Sequence, residues 1–374
     1  MNSTPFNPAE IIEIYDIRHK YLGYHPLCSG HINDTYVLEF QTDEGSKHSL
    51  LLQRINTNVF KKPVELMQNI VAVTSFLREK IIEEGGDPER ETLNVIRTKD
   101  GDFLFVDKAG HYWRLYNYIE NAYSVDIPED PKLFYELGKA FGKFQKMLDS
   151  FPIDTLHETI PDFHNTKKRY EAFEKAVEEN LSGRLENALP EIEFVRARKA
   201  DASVLVDMIA EGKLPLRVTH NDTKLNNVMF DSESHKSICV VDLDTVMPGL
   251  SLYDFGDSIR FGANTAAEDE KDVSKVSLSL PLYTEYVKGY LSEAGNILTP
   301  AEVEYLPFSA KLMTYECGMR FLTDFLNGDT YFKTKYPEHN LVRCRTQFAL
   351  VADMERKMDE MQKITQEEYK KATS

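Results

Sequence analysis

Two segments decide the fold of this chain: Thr219-His220-Asn221-Asp222-Thr223-Lys224-Leu225-Asn226-Asn227 and Val240-Val241-Asp242-Leu243-Asp244. The first is mostly polar and lies between short β-like runs, and burying so many polar groups is costly unless they bind something. An Asx-rich turn that leads into a core strand is the alternative interpretation. Chance is the weaker explanation for this spacing of Asp222, Asn227 and Asp242, so we interpret the two segments as one chemical site.

The side chains of these segments suit the transfer of a phosphoryl group. Asp222 could accept a proton from a substrate hydroxyl, and Asn227 and Asp242 offer the hard oxygen ligands that Mg²⁺ prefers. In phosphoryl transfer a positioned carboxylate orients the nucleophile while metal ions neutralise the phosphates. The sequence therefore predicts Asp222 as the catalytic residue and Asn227 and Asp242 as metal ligands.

Length and charge set the broad class of the protein. At about 150 residues per domain, 374 residues predict two or three domains. The net charge of −17 argues against a nucleic-acid partner, and the lack of any apolar run near 18 residues argues against a membrane-spanning helix. Four widely separated cysteines and an N-terminus without a leader pattern predict a cytoplasmic protein without a zinc site. The oligomeric state stays open.

The hydrophobic pattern predicts an α+β protein with two lobes. Residues 33–55 read as a hairpin, a helix begins at Pro63 and ends at Gly85, and three more strands lie at 93–98, 103–106 and 111–119. This small sheet with one helix ends near Asn121. From Pro131 the pattern is helical, with two or three solvated helices over 167–213, short strands over 216–246 and further helices over 276–371. We predict domains at 1–121 and 122–374, with a hinge near 117–130.

The two segments resemble the catalytic loop and metal aspartate of the aminoglycoside phosphotransferase and choline kinase family, which are small-molecule relatives of the protein kinases. The order of the two lobes agrees with that family's bilobal, protein-kinase-like fold, with a nucleotide-binding N-terminal lobe and a catalytic and substrate-binding C-terminal lobe. Longer blocks between residues 30 and 345 are similar to the branch of the family that phosphorylates N-acetylhexosamines. These blocks are Gly30–Tyr36, Arg217–Asn227, Asp254–Gly262, Glu316–Phe321 and Lys335–Arg343.

The resemblance implies an ATP- and Mg²⁺-dependent kinase that acts on the anomeric hydroxyl of N-acetylglucosamine or N-acetylgalactosamine. It implies that Asp222 is the catalytic base, that Asn227 and Asp242 hold Mg²⁺, and that Asp244 is a further metal or sugar contact. It also implies that Asp254 is a helix-capping residue that supports the catalytic loop. We interpret His220 as a structural residue.

The nucleotide side departs from the family's pattern. The turn over residues 29–34 lies where the family's phosphate-covering loop is expected, and we take Gly30 and Asn33 from it as candidate contacts. The second strand should offer a lysine to the phosphates, but Gln53 stands there. Either Mg²⁺ carries more of the neutralisation, or Lys61, Lys62 or Lys224 replaces the missing lysine. Adenine is expected at the hinge, beside Tyr116 and Tyr118.

A neutral sugar needs polar side chains and an aromatic face. Glu316, Arg320 and Asp324 recur at a spacing that puts them on one stripe of a helix, for which an exposed salt-bridge ladder is the alternative interpretation. With the resemblance we favour Arg320 and Tyr331 as sugar contacts, with His31 approaching from the first lobe.

Two other functions compete with the sugar kinase. The same chemistry could act on another hydroxyl, as in choline, homoserine or aminoglycoside kinases. A catalytically idle binding module is the second alternative, and Gln53 in place of a lysine is its only support. The intact set of Asp222, Asn227 and Asp242 argues against an idle module.

Overall fold

The structure is a computed structural model that describes residues 8–27, 32–126 and 130–374. Contacts between Cα atoms divide the chain into two units. The first comprises Met1–Tyr123, Asp154–Ile160 and Met229–Met247, and the second comprises Ser124–Ile153, Pro161–Val228 and Pro248–Ser374. The two later segments of the first unit lie beyond the domain boundary predicted at residue 121.

Backbone and side-chain hydrogen bonds explain why these segments join the first unit. Residues 122 and 123 pair as a short antiparallel ladder with Asp231 and Phe230. The Asn69 side chain accepts from the backbone N–H of His157 at 2.8 Å and donates to its carbonyl at 2.8 Å. Neither contact is readable from the local pattern of the sequence.

The first unit is an antiparallel sheet with the strand order β1-β2-β3-β6-β4, in which β5 also pairs with β6. The core of this sheet includes Phe40, Leu52 and Leu115, which have no exposed surface. The elements are α1 (Pro8–Ile12), β1 (Lys20–Pro26), β2 (Asp34–Gln41), β3 (Lys47–Arg54), α2 (Pro63–Glu83), β4 (Val95–Ile96), β5 (Phe105–Val106), β6 (Tyr112–Asn117) and β7 (Ala122–Tyr123).

The predicted hairpin and the single long helix of this unit are confirmed. The helix α2 begins at Pro63, whose fixed φ and missing N–H suit a first helical turn. Strand β1 and the short helix α1 were not predicted. β1 is an edge strand with an irregular register between Tyr21 and Gly23, and it is mostly exposed, so it lacks the apolar alternation that marks a half-buried strand.

The second unit is mostly helical. Its helices are α3 (Pro131–Met147), α4 (Thr166–Glu179), α5 (Leu189–Ala197), α6 (Val204–Ala210), α7 (Ser251–Gly262), α8 (Leu280–Ala294), α9 (Pro300–Leu326) and α10 (His339–Ala372). The remaining strands of the chain are β8 (Arg217–Thr219), β9 (Val228–Asp231), β10 (Ser237–Val240) and β11 (Met247–Gly249). In the described ranges, no helix combines the length and apolar character that crossing a bilayer requires.

Small residues allow the long helices to pack closely. A Cβ atom at Gly138 of α3 or at Gly289 of α8 would clash with backbone atoms of the facing helix. At Gly256 of α7 it would lie 2.5 Å from the carbonyl oxygen of Ser309 in α9. Helix α7, which carries Asp254, is thereby fixed against the central helix α9.

Candidate active site

The loop between β8 and β9 is held from beneath by Asp254. Its carboxylate accepts the backbone N–H of His220 at 2.9 Å and of Asn221 at 2.7 Å, and the side-chain amide of Gln145 at 3.1 Å. Burial raises the pKa of Asp254, although His220 and the backbone N–H groups of His220 and Asn221 oppose that effect. The N-cap of α7 is Leu250, so Asp254 supports the loop as expected but does not cap its own helix.

A second acid, Asp257, holds the next residue of this loop. Its carboxylate accepts the backbone N–H of Thr223 at 3.2 Å and pairs with Arg260, whose Nε lies 2.9 Å away. The Thr223 hydroxyl donates to the carbonyl of Asp254 at 2.6 Å. The predictions missed Asp257 and Arg260, although both stand in the quoted block Asp254–Gly262.

The loop presents Asp222 with both of its carboxylate oxygens in contact with the same cation. Lys224 Nζ lies 2.7 Å from Oδ1 and 3.0 Å from Oδ2, and Asn227 Nδ2 donates to the Asp222 carbonyl at 2.8 Å. The Asp222 side chain keeps 26% of its surface exposed. Burial disfavours the Lys224 ammonium, but Asp222 and then Asp257 outweigh it and raise the pKa of Lys224. The structure therefore brings Asp222, Lys224 and Asn227 together.

The second predicted segment forms a tight turn after β10. Asp242 has a left-handed backbone, with φ 59° and ψ 55°, and precedes a 3-10 turn over Leu243–Thr245. The Asp242 side chain is exposed and Asp244 is buried. Asp244 Oδ2 accepts from Asn33 Nδ2 at 2.6 Å, and its Oδ1 lies 2.5 Å from Arg114 Nη1. Both oxygens of Asp244 therefore have partners in the protein, and Asp242 stays the predicted metal ligand.

Each of the two predicted Mg²⁺ ligands, taken by itself, has the kind of oxygen that this ion prefers. Asp242 offers an exposed carboxylate, and Asn227 retains its carbonyl oxygen because only its Nδ2 is used on Asp222. The described part of the chain contains no group of three or more His, Cys, Asp or Glu side chains that could hold a metal ion. Mg²⁺ does not require such a cage, because it is commonly bound by one or two carboxylates together with substrate phosphates and water.

On the nucleotide side, Gly30 and His31 lie outside the described residues. Tyr116 is 2% exposed, so its side chain belongs to the core, while Tyr118 is half-buried just beyond β6. Burial also raises the pKa of the Tyr116 phenol. Adenine binding by the backbone of this segment stays a prediction.

Two of the three predicted replacements for the missing lysine, Lys62 and Lys224, have other partners. Lys62 pairs with Glu65 at 2.9 Å on the surface of α2, and Lys224 pairs with Asp222. Gln53 instead contacts a buried guanidinium: its Oε1 accepts from Nε and Nη2 of Arg114 at 3.0 and 2.8 Å. The predictions missed Arg114, whose one signal in the sequence is a charge inside the apolar strand at 112–117.

The predicted acceptor residues Arg320 and Tyr331 lie together. The Arg320 guanidinium carbon is 5.8 Å from the ring centre of Tyr331, 5.6 Å from that of Phe332 and 5.9 Å from that of Phe163. The Tyr331 side chain is largely exposed. One cation surrounded by three aromatic rings is a favourable arrangement, because ring faces attract cations at this range.

The two carboxylates of the predicted stripe have structural partners. Glu316 contacts His164 at 2.9 Å and accepts from the Thr166 hydroxyl at 2.5 Å. Asp324 accepts the backbone N–H groups of Thr330, Tyr331 and Phe332 at 2.9, 2.8 and 2.9 Å. Glu316 and Asp324 are both nearly fully buried, so the alternative of an exposed salt-bridge ladder is wrong.

Comparison with known proteins identifies the family. The model of a family described as the phosphotransferase enzyme family matches residues 24–282, more than half of the chain. The chain belongs to this family. As a phosphotransferase it carries, in the matched region, the Asp222 loop and the Asp242 turn.

Solved structures show the same fold at low sequence identity. An amicoumacin kinase, in complex with AMP-PNP, Ca²⁺ and its ligand, is 14% identical with a TM-score of 0.57, covering 91% of each chain. A spectinomycin phosphotransferase, in complex with ADP and spectinomycin, is 12% identical with a TM-score of 0.56. The alignment covers 96% of the present chain and 100% of the spectinomycin phosphotransferase. The choline kinase of Cryptosporidium parvum Iowa II is 14% identical with a TM-score of 0.53, covering 95% and 96%. The predicted sheet-and-helix kinase-like fold is confirmed.

Proposed function

We propose that this phosphotransferase transfers the γ-phosphoryl group of ATP to the anomeric C1 hydroxyl of N-acetylhexosamines, yielding a sugar 1-phosphate and ADP. The observation that carries the choice of acceptor is the cluster around Arg320. An exposed tyrosine ring offers a flat apolar face to a sugar, and the guanidinium offers hydrogen-bond donors to a carbonyl such as that of an acetamido group.

The charges near Arg320 disfavour a cationic acceptor. Glu316 and Asp324 have committed their carboxylates to internal donors, which leaves a guanidinium beside the exposed Tyr331. A second guanidinium, that of Arg169, donates to the carbonyl of Phe163 at 2.8 Å, and the Phe163 ring lies 5.9 Å from Arg320. Burial and then the charge of Arg320 lower the pKa of Arg169. Choline and aminoglycosides are cations and would meet repulsion here, whereas an N-acetylhexosamine, whose nitrogen is a neutral amide, would not.

In the proposed reaction, Asp222 orients the C1 hydroxyl and accepts its proton as that oxygen attacks the γ-phosphorus. The bond from this phosphorus to the bridging oxygen of ADP breaks, and ADP leaves. Lys224 and Asn227 hold Asp222 in place for this step. Asn227 and Asp242 would hold Mg²⁺, which supplies neutralising charge to the phosphates when bound. An anomeric hydroxyl is more acidic than the other sugar hydroxyls, so the demand on the carboxylate is smallest at C1.

A panel of acceptors tests the proposal. Purified protein with Mg·ATP is offered N-acetylglucosamine, N-acetylgalactosamine, glucose, galactose, choline, homoserine and an aminoglycoside, and ADP release is followed with Asp222→Asn as the blank. We expect fastest turnover with the two N-acetylhexosamines, and the phosphorus NMR signal of an anomeric phosphate.

Other outcomes discriminate among the alternatives. Faster turnover of choline, homoserine or the aminoglycoside would leave only the kinase class standing. Phosphate at C6 would remove the anomeric assignment but keep the amino-sugar acceptor. Nucleotide binding without turnover of any acceptor in the panel is what an idle binding module would give.

A further inference from the structure

A row of polar side chains crosses the sheet of the first unit. Thr35, Gln53 and Arg114 lie opposite one another on β2, β3 and β6. Gln53 Nε2 donates to Thr35 Oγ1 at 3.1 Å, and Gln53 Oε1 accepts from two nitrogens of Arg114. These contacts fix the plane of the Arg114 guanidinium inside the sheet, where the whole residue is 1% exposed.

The opposite edge of the guanidinium faces the turn that carries Asp242. The side chains of the ion pair between Arg114 and Asp244 are only 2% and 4% exposed. Burial disfavours the charged guanidinium, but Asp244, Tyr116 and Asp242, in that order, raise the pKa of Arg114. Arg114 is therefore a buried cation whose charge acts on both acids of the turn.

The ion pair between Arg114 and Asp244 differs in position from the lysine–glutamate ion pair of protein kinases. In protein kinases a lysine on the third strand pairs with a glutamate on the following helix. Here the strand position is the neutral Gln53, and helix α2 presents Met67, whose Sδ lies 3.8 Å from Arg114 Nη1. The cation, Arg114, lies on β6, the strand next to β3. Its carboxylate partner, Asp244, follows Asp242 by two residues.

We propose that Arg114, clamped by Gln53, is a positioning residue that holds the Asp242–Asp244 turn in the conformation that binds Mg²⁺ with the nucleotide. A left-handed backbone such as that of Asp242 is disfavoured for a non-glycine residue, although Asp tolerates it better than most, so neighbouring contacts help to hold it. The ion pair two residues later supplies such a contact. Since Gln53, Asp244 and Met67 surround the guanidinium, Arg114 acts through the turn and not as a direct phosphate ligand.

The test separates positioning from stability. The variants are Arg114→Gln, Asp244→Asn and the combination of the two. Each single change leaves one buried charge without its partner and should lower the melting temperature, whereas the double variant removes both charges and should recover much of it. The matched control is the exposed pair Arg78 and Glu89 of the same unit, changed together to glutamine.

The measurement is calorimetric binding of ADP, with Mg²⁺ titrated or with EDTA present, alongside the melting temperature without nucleotide. In the double variant we expect the Mg²⁺ concentration for half-maximal ADP binding to rise at least about tenfold, as for loss of a group that orients a metal ligand. ADP binding in EDTA should stay at the wild-type level. The control variant should change neither the Mg²⁺ concentration for half-maximal ADP binding nor ADP binding in EDTA.

Two results count against the proposal. Wild-type Mg²⁺ dependence in the stable double variant would show that the pair only stabilises the fold, and equal losses in Mg²⁺ and EDTA would show an effect on the whole nucleotide site. Either result overturns the proposal. If the double variant does not fold, Gln53→Leu is measured in the same way: it keeps the ion pair but removes the contacts that fix the guanidinium, so a raised Mg²⁺ requirement supports the clamp and an unchanged one contradicts it. The proposal rests on the kinase function, but no acceptor is used, so failure of the acceptor panel leaves this test intact.

Discussion

Replacing Asp324 with asparagine tests whether the loop after α9 shapes the acceptor site. Asp324 Oδ1 accepts the N–H groups of Thr330 and Tyr331 at 2.9 and 2.8 Å. Its Oδ2 accepts the N–H of Phe332 and the side-chain Nδ2 of Asn340, both at 2.9 Å. An asparagine keeps one oxygen and turns an NH₂ group toward the other two donors. The variant thus loses two charge-assisted hydrogen bonds while the helix itself is unchanged.

The magnitude follows from those two bonds. A hydrogen bond to a charged group contributes about 1.5–3 kcal/mol, and part of the loss is recovered because the loop is exposed enough for water to reach it, so we expect roughly 2–4 kcal/mol of destabilisation. If Tyr331 contacts the acceptor, the loop of the variant must be ordered again when the acceptor binds. We expect this ordering to cost about 1.4 kcal/mol of binding free energy, which raises the acceptor KM about tenfold. The KM for ATP should not change.

The assay is steady-state kinetics with each substrate varied, together with thermal unfolding. Asp107→Asn is the matched control, because Asp107 also holds a loop through two backbone N–H groups, at Ala109 and His111, both at 2.9 Å. The control should lower the melting temperature without raising the acceptor KM. An Asp324→Asn variant with lowered stability and an unchanged acceptor KM would remove Tyr331 from the acceptor site.

Three further predictions follow from single carboxylates. Asp222→Asn should lower kcat by about two to four orders of magnitude with ATP binding nearly unchanged, and a variant that keeps most of its kcat refutes its role as base. Asp242→Ala should abolish Mg²⁺-dependent nucleotide binding, and an unchanged Mg²⁺ titration would transfer that role to Asp244. Burial opposes ionisation of Asp353, but Lys357 and the N–H of Leu278 lower its pKa to about 2. Its contribution of about 2 kcal/mol is therefore present above pH 4 and lost as pH falls toward 2, so urea melts of wild type and Asp353→Asn should converge over that range.

The parts of the fold that the sequence predicted are those with local signals. Helix α2 begins at a proline and carries apolar residues at helical spacing, and the hairpin of β2 and β3 has a turn between two alternating runs. The polar loop that carries Asp222 and Asn227 could be predicted because these residues are close in the chain. The edge strand β1 gave no such signal, since most of its residues are exposed.

The contacts that hold the site together depend on register and long-range packing. Gln53 faces Arg114 because β3 pairs with β6 in one particular register, and a shift by one residue would turn Arg114 to the other face. In the same way, Asp254 reaches the backbone of His220 only because α7 packs beneath the loop. Neither register nor packing can be read from residue spacing, which explains why Arg114 was missed.

Asp242 and Asp244 show how the backbone separates the roles of two identical side chains. The left-handed residue Asp242 is followed at once by a 3-10 turn, and this leaves the first carboxylate exposed while the second lies in the protein interior. A buried carboxylate needs a cation and donors, which Arg114 and Asn33 supply, and a ligand to Mg²⁺ needs access, which Asp242 has. Exchanging these environments would require a different backbone in the turn, so the buried ion pair of Asp244 and the exposure of Asp242 are two consequences of one conformation.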